Sequence, residues 1–334
     1  MKTLHIADRL FNDQCWQAYY ALLEILRERY ESPMARIGWE QTKESFLSLM
    51  EIDPGYHRFV IFDGQTAVGW ADFDIHAKGM PGQNASVRVE SVYDHAPKAF
   101  ECIVAAELLN LMKMCSSNSA RLWTTTERIA AIARHWSGRE LNRLDRFRLY
   151  RAKAPTALME SWLKKIPQEH PGLRLEFFSP VPDEHLVAYT SLFIKYIREM
   201  PTERESGDQF LMTADEVRRD MEWRLKNRMH TYTYALFDPN STMIGYTNVM
   251  INEADPSDVF QSMTGLDVEY RGRGLSRWLK AAMFFKVGED FPANETITTD
   301  MRGANAPIQK VNAEMGYVLL SSGNEFEISA DDLH

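Results

Sequence analysis

Residues 262–285 read SMTGLDVEYRGRGLSRWLKAAMFF, and this stretch decides the fold. Ser262 to Val268 has the composition of a strand, ending at Glu269. Leu275, Trp278, Leu279, Ala282 and Met283 recur at i, i+3, i+4, i+7 and i+8, the spacing of one buried helix face. Between them lies Arg271-Gly272-Arg273-Gly274-Leu275-Ser276. A strand, a glycine turn and a helix start together form an anion site. The first N–H groups of a helix lack internal partners, and its dipole adds partial positive charge there. Glycines let backbone approach a phosphate with no Cβ in the way. Arg271, Arg273, Arg277 and Lys280 add cations. The dinucleotide pattern GxGxxG fails, because Arg277 stands at the last glycine. A GK[ST] phosphate loop is absent as well. Taken alone, these six residues also fit a surface turn with solvated arginines.

Outward from this turn, the chain repeats itself. Residues 57–76 read HRFVIFDGQTAVGWADFDIH and residues 232–251 read YTYALFDPNSTMIGYTNVMI. Each is a β-rich run, an Asp-led turn, then Gly-aromatic and a second β-rich run, which is a hairpin pattern. Phe62-Asp63 aligns with Phe237-Asp238 at an offset of 175, Gly69-Trp70 with Gly245-Tyr246 at 176, and Thr124 with Thr299 at 175. The reading is two copies of one fold: 1–152, a connector over 153–172 with a short helix at Ala157 to Lys165, and 173–334. Each copy opens with two helices (near Trp16 to Tyr30 and Gln41 to Met50; Glu184 to Glu199 and Ala214 to Asn227). The hairpin, further strands and two more helices follow. That order predicts an α/β (α+β) layered domain, each with a mixed, mostly antiparallel central sheet flanked by helices.

Composition narrows the function. Lys and Arg number 38 against 47 Asp and Glu, a net charge of −9. A nucleic-acid or anionic-membrane partner is not expected, since phosphate neutralisation needs surplus cations. No run approaches the roughly 20 apolar residues of a membrane span. Cys15, Cys102 and Cys115 are odd in number and far apart, so neither disulfides nor a metal site is expected, and a reducing cytoplasm is the expected location.

The turn resembles motif A of the GNAT superfamily of acyl-CoA-dependent N-acyltransferases, Q/R-x-x-G-x-G/A after a strand, here Arg271-x-x-Gly274-x-Ser276. Ser replaces the final Gly/Ala. Thr264-Gly265, Leu279-Lys280, Asn305-Ala306-Pro307, Asn312 and Gly316-Tyr317 extend the resemblance to tandem-domain GNAT proteins, a group that includes mycothiol synthase. The resemblance implies that the strand before the turn splays from its neighbour and binds the pantetheine arm of acetyl-CoA, or another acyl-CoA, along Leu266, Asp267 and Val268. It implies that the pyrophosphate rests on the amides of Arg273, Gly274, Leu275 and Ser276, beside Arg271 and Gly272. Asn305 falls at another cofactor-contacting position. It also fits a helix N-cap, with Pro307 following.

The implied reaction is direct transfer of an acyl group to a primary amine of a small molecule in a ternary complex. A base must take the amine's proton, and an acid helps the thiolate depart. Many relatives carry a Tyr where this chain has Asn312, and an amide cannot replace a phenol as acid. Tyr246 and Tyr317 are the other candidates, or water serves. Asp267, Glu253 and Asp300 are candidate bases. The missing Tyr keeps a second reading open, a non-catalytic acyl-CoA sensor. In the first copy, His95-Ala96-Pro97-Lys98-Ala99-Phe100-Glu101 stands opposite Tyr270 to Ser276. Both glycines are gone, Pro97 removes an N–H and Glu101 adds negative charge, so no CoA site is expected there. Residues 199–222 hold eight acids (Glu199, Glu203, Glu205, Asp208, Asp215, Glu216, Asp220 and Glu222), which fit either a cationic acceptor or a solvated, ion-paired helix face. Oligomeric state is expected to be monomer or homodimer.

Overall fold

The computed structural model describes residues 1–30, 38–53, 55–74, 85–93, 97–115, 117–124, 127–199, 212–302 and 305–333. In the first half the order is β1 (Lys2–His5), α1 (Asp13–Tyr30), α2 (Trp39–Ile52), β2 (Tyr56–Asp63), β3 (Thr66–Asp74), β4 (Ala85–Ser91), α3 (Lys98–Cys115), β5 (Ser119–Thr124), α4 (Glu127–His135) and β6 (Arg139–Tyr150). Helix α5 (Thr156–Glu169) follows. The second half then gives β7 (Arg174–Phe178), α6 (Asp183–Glu199), α7 (Ala214–Lys226), β8 (Met229–Phe237), β9 (Met243–Asn252), β10 (Asp255–Leu266), α8 (Leu275–Asp290), β11 (Thr296–Arg302), α9 (Ala306–Met315) and β12 (Val318–Ser329). The two halves therefore share one order, βααβββαβαβ; each opens with a short strand, β1 or β7, ahead of the two helices expected from the sequence.

The chain forms two compact units. One comprises Met1–Asp145 and Ser321–His334, the other Arg146–Pro201 and Phe210–Leu320. The stretch read as a connector is helix α5, and it belongs to the second unit. Each unit takes its last strand from the other copy's sequence. In the first unit β12 pairs antiparallel with β5, Ser329 opposite Ser119 and Asn324 opposite Thr124. In the second, the residues of β6 from Arg146 onward lie beside β11. Within each unit the first sheet pairs are antiparallel and one is parallel, β4 with β5 and β10 with β11.

Each sheet is covered on both faces, and strand alternation divides the side chains between them. In the first unit Val60 and Phe62 join Trp16, Tyr19 and Leu22 of α1, while Ile61 joins Phe100 and Leu108 of α3. In the second, Ala235 and Phe237 face Tyr189 and Leu192 of α6, while Leu236 faces Leu279 and Phe284 of α8.

The first unit also buries an ion pair. Arg58 is 6% exposed, binds Asp72 through two nitrogens and donates to the Tyr19 hydroxyl. The Phe46 and Trp70 rings lie 4.1 and 4.4 Å from its guanidinium carbon. Arg58→Leu leaves the part-buried Asp72 carboxylate without its cation, at an expected cost of about 3 kcal/mol. A urea titration checks this, with the midpoint falling at unchanged slope.

Candidate functional site

The site is built where β10 leaves its parallel neighbour. β10 and β11 pair over Asp258↔Thr296, Val259↔Ile297 and Phe260↔Thr298, and the ladder stops there. β10 continues to Leu266 and β11 to Arg302. On its other side β10 stays paired with β9 up to Leu266↔Gly245. One edge of the last turns of β10 is thus released from the sheet, with Thr299 Oγ1 donating to Gln261 O at 2.9 Å across the fork.

The strand ends at Leu266, earlier than the composition suggests, because Val268–Tyr270 tightens into a 3₁₀ turn. The Leu266 carbonyl accepts from Arg271 Nε at 2.9 Å. Gly272 and Gly274 then take φ of +77° and +79°, the left-handed region that favours glycine. Gly274 is the N-cap of α8, with no capping side chain. The backbone N–H groups of Gly272, Arg273, Gly274, Leu275 and Ser276 find no acceptor among the described residues. A Cβ placed on Gly272 meets nothing within 4 Å. Five unclaimed donors, open space and a 16-residue helix dipole behind them fit a phosphate group. His170 Nε2 lies 3.1 Å from the Arg273 carbonyl oxygen, so α5 braces the outer side of the turn.

The four expected cations divide into separate roles. Arg271 binds Glu199 as well as the Leu266 carbonyl. Arg277 forms a forked pair with Glu314, at 2.6 and 2.8 Å. Arg273 lies over the Tyr270 ring at 5.2 Å and is exposed. Lys280 is 2% exposed and points away from the turn into the core. Its Nζ binds Gln261 Oε1, to which the Tyr317 hydroxyl also donates at 2.9 Å. Burial lowers the Lys280 pKa to about 7.

No protein-family model matches the sequence, and no curated protein resembles it in sequence. Solved structures do match in fold. A tandem GNAT protein from the clavulanic acid biosynthesis pathway superposes with a TM-score of 0.69 at 16% identity, covering 98% of each chain. A GCN5-related N-acetyltransferase from Sphaerobacter thermophilus gives 0.65 at 11% identity, covering 94% of this chain and 92% of its own. The glucosamine N-acetyltransferase region of a fungal multi-domain GH3 β-N-acetylglucosaminidase gives 0.62 at 10% identity, covering 98% of this chain and 38% of its own.

The chain has the tandem GNAT fold.

On this GNAT scaffold the expected residues fall into three groups. Leu266, Asp267, Val268 and Arg271 to Ser276 come together at the β10–α8 junction. Val268 is 60% exposed there, and Asp267 pairs with Lys195 at 2.5 Å. Asn305 occupies the N-cap position of α9 but its side chain makes no cap bond, so the side chain does not serve as the N-cap acceptor. Tyr246 pairs with Gly265 across β9 and β10, is fully buried, and its ring lies 4.5 Å from that of Tyr189 at a tilt of 35°. Burial raises its pKa well above the ordinary phenol value.

The second group comes from β11, α9 and the residue before β12. Tyr317 is buried against Gln261 and Lys280. Asn312 is 2% exposed, with Nδ2 directed at Met301 Sδ, 2.9 Å away. Asp300 is held by Arg146 through two bonds of 2.7 and 2.8 Å. Glu253 forms the third group. It follows Asn252 at the end of β9 opposite Gly245, roughly 25 Å along the strand from the turn. There it binds Arg228 at 3.3 Å and sits 3.5 Å from His230, and Arg228 lowers its pKa.

Of the acids at 199–222, Glu203, Glu205 and Asp208 lie outside the described residues. Glu199, Asp215 and Asp220 are paired with Arg271, Arg218 and Arg224, and Glu216 completes a capping box with Thr213. Of the first-copy turn, His95 and Ala96 also lie outside the described residues. The Phe100 and Glu101 N–H groups both bond to Pro97 O, at 2.8 and 3.2 Å. The sequence reading missed the end of α6. Lys195, Tyr196 and Glu199 all reach the β10–α8 junction, and the Tyr189–Tyr196 spacing of two helical turns was the available signal.

Proposed function

We propose that the chain is an acyl-CoA-dependent N-acyltransferase that moves an acyl group, acetyl by default, to a primary amine of a small molecule. The observation that carries this reading is the row of five unclaimed N–H donors at the glycine turn, set beside a strand edge freed from its ladder. The diphosphate would rest on Arg273 to Ser276, with exposed Arg273 beside it. The pantetheine arm would run along the free edge of β10, and Val268 offers it an exposed apolar contact. The bound thioester supplies an activated carbonyl for the amine. The fold neighbours named as N-acetyltransferases support acyl transfer in general terms. One of them is a glucosamine N-acetyltransferase region, which agrees with a small amine as acceptor.

The first unit is proposed to bind no CoA. Its α3 begins after Pro97, which has no N–H to offer, the turn before it has neither glycine of the second copy, and Glu101 places an acid in the first turn. Isothermal titration of acetyl-CoA should therefore give one site per chain, and thiol release across a panel of small amines should follow. Two sites would remove the assignment of the first unit. Binding with no thiol release on any amine would favour the sensor. No binding would end the acyl-CoA reading.

No helix among the described residues is long and apolar enough to cross a membrane, and no cluster of three metal-ligating side chains occurs among them.

A further inference from the structure

Near the glycine turn one buried polar atom has no task in the reading above. Helix α6 ends against the β10–α8 junction through two ion pairs, Lys195 with Asp267 at 2.5 Å and Glu199 with Arg271. Between these anchors Tyr196 lays its ring on the backbone of Gly265. A Cβ at that glycine would run into the ring, so the close approach depends on its absence. Tyr196 is 5% exposed, and its hydroxyl has no hydrogen-bond partner among the described residues. A buried hydroxyl left unbonded is destabilising, and folded proteins rarely keep one without use.

The groups facing Tyr196 are Asp267 and Arg271 from the junction, Glu199 from its own helix, and the Tyr246 ring of β9 at 5.6 Å. Burial, seconded by Asp267, raises its pKa far above the ordinary phenol value. It therefore stays protonated at neutral pH and acts as a donor that keeps its own proton.

We propose that the Tyr196 hydroxyl donates a hydrogen bond to the thioester sulfur as that sulfur becomes a thiolate. This rests on the acyl-transfer reading. The amine lone pair forms the C–N bond, the C–S bond breaks, and its electron pair goes to sulfur. The surplus proton on nitrogen passes to water, and water returns one to the thiolate. Asn312, at the position where many relatives carry a phenol, has its amide against Met301, so the donor comes from a different helix.

Coenzyme A itself is the probe, because its thiol ionises over the range tested. Its affinity is measured by titration calorimetry from pH 7 to pH 10 for wild type and Tyr196→Phe, with thermal midpoints at pH 7. In wild type the affinity should rise about tenfold with pH, the strength of a hydrogen bond to a charged acceptor, and in the variant it should stay flat. Lys195, Asp267, Arg271, Glu199 and Tyr246 are common to both proteins and cancel. The variant's midpoint should equal or exceed that of wild type, since an unbonded hydroxyl has been removed. Matching pH profiles would overturn the proposal, and so would a lower midpoint in the variant. If wild type fails to bind coenzyme A at every pH, the acyl-transfer reading falls and takes this one with it. Binding with matching profiles removes Tyr196 alone.

Discussion

Gly274→Asp abolishes acetyl-CoA binding, a loss of about a hundredfold or more in calorimetry. Three effects add at this position. The native φ of +79° suits glycine, so any other residue is strained by about 1 kcal/mol. The new carboxylate lies at the helix N-terminus, where it takes up the N–H groups a phosphate would need. Its charge then repels the diphosphate. Space is not the obstacle, because a Cβ there lies 3.8 Å from Ile166 Cδ1 and 4.0 Å from Arg277 Nη1, ordinary contacts. The variant should therefore fold. Gly274→Asn separates strain from charge, since Asn tolerates the left-handed region and carries no charge. It should weaken binding by about tenfold only, the charge term being absent. Unchanged affinity in Gly274→Asp removes the turn as the phosphate site.

The second large effect concerns stability and pH. Lys280 is fully buried, no carboxylate pairs with it among the described residues, and burial brings its pKa down to about 7 from an ordinary value of 10.5. Between those two values the unfolded chain holds a proton that the folded chain has released. Stability therefore rises with pH across this window, by an amount on the order of 5 kcal/mol in full. Below pH 7 both states are charged and the contribution is flat. Above pH 10 the buried tyrosines oppose it. Tyr196, Tyr246 and Tyr317 all have raised pKa values, so folding then holds protons the unfolded chain gives up. Lys280→Met removes the titrating amine at similar length. Urea denaturation from pH 7 to 10 should show a rising free energy in wild type and a nearly level one in the variant. At pH 7 the variant should be the more stable protein, less what it forfeits by leaving Gln261 Oε1 with one donor. Parallel curves would mean that Lys280 reaches water.

These two residues show what was legible. Gly272 and Gly274 were readable because their role is local: positive φ, an uncapped helix and a strand before it all lie within a dozen residues. The repeat was readable for the same reason, since hairpin spacing is written into each copy. Lys280 was misread as one of four cations at the turn. Helix α8 is buried over most of its circumference, including Ala281, Phe284 and Val287, and Lys280 belongs to that buried side. The expected stripe was too narrow to show it. The partners of Arg277 and Arg271, Glu314 and Glu199, stand 37 and 72 residues away, a distance at which spacing carries no information. Tyr196 was missed because the reason for its position is Gly265, on another element. The strand exchange was invisible too, because an alternating run records which face is buried and not which neighbour it pairs with.

That exchange has a consequence for anyone dividing the gene. A fragment cut near residue 152 keeps β5 and loses the β12 residues that cover it, while the complementary fragment keeps β11 and loses β6. Each piece would present a raw row of amides and carbonyls, the kind of edge that recruits other chains. Duplication left two copies of a motif that can be told apart by eye but cannot be separated with scissors.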